Sequence, residues 1–185
     1  MSTTLRALVV YESMFGNTEQ VALAVVEGLS RENLLVEAHD VRDVPADATL
    51  DVDLLVVGAP THAFSLSRPS TRADAVRQGA PNDRAELGLR EWLANAPGRP
   101  GLPVAVFDTR AAKARRLPMT AGRRAAKMAV RRGFRLLTKP AGFAVDDLKG
   151  PLEPRELERA ERWGETIAGL ARLHFAGNNG GLSPR

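Results

Sequence analysis

Residues 5–31 hold, in order, a short apolar run, a turn of small polar residues and a helical stripe. The run Leu5–Tyr11 is apolar at both alternating positions, as in a strand buried on both faces. Beyond the turn, Val21, Val25 and Leu29, flanked by Ala22 and Val26, recur at the spacing of a helix face packed on a core. Such a strand leading into such a helix opens a βαβ unit, and the rest of the chain repeats the alternation. Strands are expected over 5–11, 34–40, 52–58, 102–108 and 135–145, the last interrupted at Pro140-Ala141-Gly142. Helices are expected over 17–31, 83–96, 120–133 and 153–174, and residues 41–51 can hold a short one. Right-handed crossovers between parallel strands then give an α/β fold: a three-layer, doubly wound, five-stranded parallel sheet of order 2-1-3-4-5. The domain is expected to span 1–176, with 177–185 as a flexible C-terminal tail. Trp92 and Trp163 are read as core anchors.

Composition narrows the chemistry. There is no cysteine, which removes disulfides, thiolate metal sites and cysteine nucleophiles. His39, His62 and His174 lack metal-ligand spacing, so no metal is expected. No signal peptide and no apolar run of membrane-spanning length is visible, which makes a cytoplasmic location the expectation. The formal net charge is +4, but its distribution says more. No acidic residue falls between Asp108 and Asp146, a stretch that carries eleven of the 26 basic residues. An Arg-rich composition explains the preference for Arg over Lys. It does not explain the missing acids, and a local positive field is expected there.

In a doubly wound sheet, ligands bind beyond the carboxyl ends of the strands, beside the point where the strand order reverses. Three segments reach that edge. The first is Ser13-Met14-Phe15-Gly16-Asn17-Thr18, whose backbone N–H groups open a helix and make an anion cradle. A bland helix cap from Asn17 explains the same residues equally well when they are taken alone. The second is Gly58-Ala59-Pro60-Thr61-His62-Ala63-Phe64, where Phe64 can stack on a planar ring and His62 can hydrogen-bond one. The third is Asp108-Thr109-Arg110, with Arg110 opening the basic stretch as an uncompensated cation beside the site.

Together these segments resemble the flavodoxin-like FMN proteins. Residues 13–18 are similar to that family's phosphate-loop pattern Ser/Thr-x-Thr-Gly-x-Thr, and Gly58-Ala59-Pro60-Thr61 to its Gly-x-Pro-Thr segment. The resemblance implies FMN as cofactor. Ser13, Met14, Phe15, Gly16, Asn17 and Thr18 would hold its phosphate. Pro60, Thr61, His62, Ala63 and Phe64, with Asp108, Thr109 and Arg110, would border the isoalloxazine. Phe15 replaces a hydroxyl residue of the pattern, the segment 109–122 lacks an aromatic, and the chain is basic where electron-carrying relatives are usually acidic. These departures describe a divergent, specialised member.

The expected function is electron transfer through bound flavin, to or from an acidic redox protein or a small-molecule acceptor. Two alternatives stand beside it. One is an NAD(P)H-dependent FMN reductase of quinone-type substrates, although no G-x-G-x-x-G occurs. The other is a flavin-less binding module that uses the basic surface. Nucleic acid is not the expected partner, because clustered arginines without interleaved aromatics give mostly nonspecific, salt-dependent contact. A receiver domain is set aside because strand three does not end in an Asp, and a P-loop NTPase because G-x4-G-K-[ST] is absent.

Overall fold

β1 (Arg6–Tyr11) lies inside a parallel sheet, between β2 (Leu35–Asp40) and β3 (Leu54–Pro60). The computed structural model describes residues 4–114, 116 and 118–179. β3 pairs with β4 (Pro103–Ala111), whose far side is shared by two short strands, β5 (Arg135–Leu136) and β6 (Ala141–Val145). The strand order is therefore 2-1-3-4-5, with the fifth position split, and every pairing is parallel.

Alternation along the strands makes two cores. Leu8, Val10, Leu55, Val57, Val104 and Val106 face one way, where α3 (Leu89–Asn95) and α4 (Ala121–Arg131) cover them with Trp92, Leu93, Ala125 and Ala129. Ala7, Val9, Val56, Ala105 and Phe107 face the other way, under α1 (Asn17–Arg31) and α5 (Glu156–Asn179), which bring Val21, Val25, Leu29, Ala160 and Ile167. α1 and α5 touch where Gly28 and Gly164 meet: a Cβ on either would collide with the other helix's backbone. Trp163 packs edge-to-face on Phe107 and Phe143, at 6.0 and 6.3 Å. Trp92 is 2% exposed, and its indole N–H donates to Val44 O at 2.9 Å.

α1 spans the expected residues. The stretch 83–96 resolves into a 3₁₀ turn at Asn82–Ala85 followed by α3. β3 and β4 run past their expected ends at 58 and 108. Parallel partners extend them, Ala59↔Asp108 and Pro60↔Thr109 between the two and Phe107–Ala111 against β6. Thr109 and Arg110 thus belong to a strand, not a loop. The break in the fifth strand falls over 137–140, and Ala141 and Gly142 pair within β6. α5 continues through Gly177 to Asn179, so residues 177–179 of the expected tail are helical; 180–185 lie outside the described residues. Helix α2 (Pro69–Arg77) was not anticipated. It has no apolar stripe, and its buried residues are Ala75 and, unusually, Arg72. Among the described residues no helix is long and apolar enough to cross a membrane.

Candidate functional site

A cleft of about 280 Å³ opens at the carboxyl edge of the sheet. Ser13, Met14, Phe15, Asn17 and Thr18 form one wall, Pro60, Thr61, His62 and Ala63 a second, and Thr109 and Arg110 the floor between them. The cleft thus gathers the three segments singled out in the sequence. It also draws on residues not anticipated: Thr71, Asp74, Ala75 and Gln78 from α2, and Val145, Asp147 and Leu148 from the end of β6. The α2 residues carried one sequence signal, a Pro at the first helical position. The β6 residues follow from the same strand-end rule that selects the other loops.

The first wall is built as an anion cradle. Gly16 holds φ +92, which turns the chain out of β1 and into α1, and no atom lies within 4 Å of where its Cβ would stand. Ser13 Oγ accepts from Gly16 N at 3.1 Å and Glu19 N at 3.3 Å, leaving its own O–H to donate. Among the described residues the backbone N–H groups of Met14, Phe15, Asn17 and Thr18 meet no protein acceptor. Free N–H groups at the positive end of a 15-residue helix are the donors an anion requires. Thr18 Oγ1 shares a hydrogen bond with Thr109 Oγ1 at 2.8 Å, which ties the turn to β4. Asn17 Nδ2 donates to Lys149 O at 3.0 Å, which ties it to the segment after β6.

Two groups outside the cleft brace the turn. Arg84 donates to Ser13 O at 2.6 Å and pairs with Glu19 at 3.3 Å, placing a guanidinium directly behind the cradle. Glu12, the residue before the turn, is 1% exposed. Its Oε2 accepts from Leu89 N at 2.8 Å while Oε1 has no partner, and burial pushes its carboxyl above the usual range. Close by, buried Arg72 donates to Ser67 Oγ at 2.9 Å and Glu91 Oε2 at 3.2 Å, joining α2, α3 and the loop after β3.

The second wall ends in a two-residue turn. His62 and Ser65 exchange backbone hydrogen bonds of 2.8 and 3.0 Å, and Ala63 and Phe64 between them have φ +45 and +63. Left-handed backbone at a residue with a side chain costs about 1–2 kcal/mol, so this turn is strained twice over. It carries Phe64 out to 54% exposure, beside the cleft and not among its lining residues. His62 does line the cleft, and burial lowers the pKa of its imidazole, favouring the neutral ring.

On the floor, the expectation of a free cation at Arg110 is corrected. Asp108 and Arg110 are two apart on a strand and so share a face. Arg110 donates to Asp108 Oδ1 at 2.6 Å and Oδ2 at 3.0 Å, and Gly122 N donates to Oδ2 at 2.9 Å. The Asp108 side chain is 0% exposed. Asp108 therefore lies under the cleft and orients Arg110, whose charge it balances. A Cβ at Gly142 would overlap the Arg110 guanidinium, so a side chain at 142 would have to push it aside.

The flavodoxin family profile matches residues 9–108, which include the cradle, the second wall and the start of the floor. No curated protein matches the sequence. Among solved structures, an archaeal flavodoxin superposes with a TM-score of 0.63 at 19% identity, covering 91% of this chain and 99% of its own. Oxidised flavodoxin 2 from Bacillus cereus gives 0.63 at 22% identity, over 90% and 98%. Rubredoxin oxygen:oxidoreductase from Desulfovibrio gigas gives 0.61 at 16% identity, with 92% of this chain matching 37% of that one. With the profile covering more than half of its length, the chain belongs to the flavodoxin family, whose cofactor is FMN.

Proposed function

We propose that this protein transfers electrons through FMN held in the cleft, with the phosphate in the turn 13–18 and the ring between 60–63 and Thr109–Arg110. The observation that carries this reading is the set of unpaired N–H groups around Gly16, open to the cleft. The flavin supplies the redox chemistry; the chain supplies position and electrostatics. Ser13 and Thr18 offer hydroxyls to the phosphate, and the α1 dipole with Arg84 behind it favours a dianion there. His62, neutral and two-sided, can donate to or accept from a ring edge. The polar residues of α2, Thr71, Asp74 and Gln78, add a polar side to the cleft.

The test is an absorbance spectrum of the purified protein with and without added FMN, followed by fluorescence titration of two variants. Gly16→Val forces a β-branched residue into left-handed backbone, and Thr18→Ala removes a donor. A lost hydrogen bond to a charged group is worth about 1.5–3 kcal/mol, so each variant should bind FMN about tenfold or more weakly. Unchanged affinity in both would place the phosphate elsewhere.

A further inference from the structure

Phe64 has an exposed apolar counterpart on a neighbouring segment. Met119 is 66% exposed and sits just before α4, whose Ala121 N donates to Thr61 Oγ1 at 3.1 Å. The segments that carry the two side chains are therefore joined at Thr61. The loop itself is rigid, because Arg90 donates to Ser65 Oγ at 3.3 Å, Leu66 O at 2.8 Å and Ser67 O at 3.0 Å. An aromatic held out on a strained, braced turn is preorganised for contact, which lowers the entropic cost of docking.

The same segments carry three arginines. Arg68 follows the braced loop, and Arg123 and Arg124 lie in the first turn of α4; all three are exposed. Among the described residues no carboxylate pairs with any of them, whereas Arg72, Arg84 and Arg110 each have one. Arg90 titrates below the usual arginine range, through burial and then through the nearness of Arg124 and Arg68, so these charges converge on one place. Guanidinium groups are weakly hydrated and match carboxylates in two-point hydrogen bonds. Exposed Phe and Met beside Arg is the composition enriched at protein interfaces. A nucleic-acid duplex, whose bases are already stacked, would leave the apolar pair without a partner, which favours a protein.

We propose that Phe64 and Met119, ringed by Arg68, Arg123 and Arg124, form a docking surface for an acidic redox protein that approaches over the mouth of the cleft. The proposal rests on the electron-transfer reading for its purpose, and on the exposed arginines for its chemistry. The partner's carboxylates pair with the arginines around an apolar contact on Phe64 and Met119. Steering of this kind raises association rates and weakens as salt rises.

The experiment uses a fluorescently labelled acidic [2Fe–2S] ferredoxin as the probe, with cytochrome c, a basic protein, as its counterpart. Anisotropy titrations are run on the protein with and without FMN, after the spectrum has shown whether the flavin loads. Ferredoxin should bind, cytochrome c should not, and affinity should fall about tenfold or more between about 50 and 300 mM salt. Arg68→Glu/Arg124→Glu should weaken binding by a similar factor while leaving FMN affinity unchanged, and Phe64→Ser should weaken it severalfold. Arg6→Glu, at the opposite end of the sheet, should have no effect. Binding insensitive to salt or to the double variant would overturn the surface. So would tighter binding of a short DNA duplex, weakened by the same double variant, which would assign the arginines to nucleic acid. If FMN fails to load but ferredoxin binds as described, the cofactor reading falls and the docking surface stands.

Discussion

Replacing Arg110 by glutamine should destabilise the protein well beyond the usual effect of losing a residue at a cleft. Asp108 is fully buried and accepts three hydrogen bonds, two from Arg110 at 2.6 and 3.0 Å and one from Gly122 N at 2.9 Å. The substitution removes the opposite charge and leaves the buried carboxylate with neutral donors alone. Removing one partner of a buried ion pair costs about 3–5 kcal/mol, and the retained amide places this case at about 3 kcal/mol. For a chain of this size each kcal/mol moves Tm by about 2–4 °C, so a fall of about 6–12 °C is expected. The double variant Arg110→Gln/Asp108→Asn removes the charge along with its partner and should recover most of the loss. Urea denaturation of wild type, both single variants and the double variant closes the cycle and isolates the pair. The reasoning fails if Arg110→Gln lies within about 1 kcal/mol of wild type, or if the double variant is no more stable than that single one.

Three other outcomes follow from the groups around the cleft. Glu12 holds its proton above its ordinary pKa of 4.5, so folding stability should fall as pH rises from about 4.5 through the raised value, and Glu12→Gln should abolish that loss in denaturation measured across pH. His62 behaves in the opposite sense. Its pKa is lowered from 6.5, so the unfolded chain takes the proton first and stability should drop as pH falls below about 6.5 towards the lowered value; the drop should vanish in His62→Asn. Gly142→Ala should push the Arg110 guanidinium aside, and calorimetry should show a fall in Tm smaller than that of Arg110→Gln, because the flexible side chain keeps its charge near Asp108.

The strand order and the cradle were legible because their determinants are local. The apolar run of β1, the small residues of the turn and the stripe of α1 are read within a span of 27 residues, and each describes its own conformation. The ends of β3 and β4 were not legible, because what extends them is a partner strand distant in sequence. The role given to Asp108 changed for the same reason. As loop residues, Asp108 and Arg110 can point anywhere; as strand residues two apart they must share a face and meet. Helix α2 escaped because it is anchored by Arg72 donating to Ser67, Glu91 and Ala85 O, not by an apolar face, and hydrophobic periodicity is blind to that.

The backbone contact of Gly28 with the last helix bears on how the chain matures as it is made. β1 and α1 leave the ribosome well before α5, yet the side of the sheet bearing Ala7, Val9 and Phe107 is closed only when α5 arrives, carrying Trp163 and Ile167. The turn at 13–18 receives its Asn17 tie only from Lys149. A nascent chain that stops short of α5 therefore displays part of the apolar interior that α1 alone does not cover, and the turn at 13–18 waits for residue 149 before its tie is made.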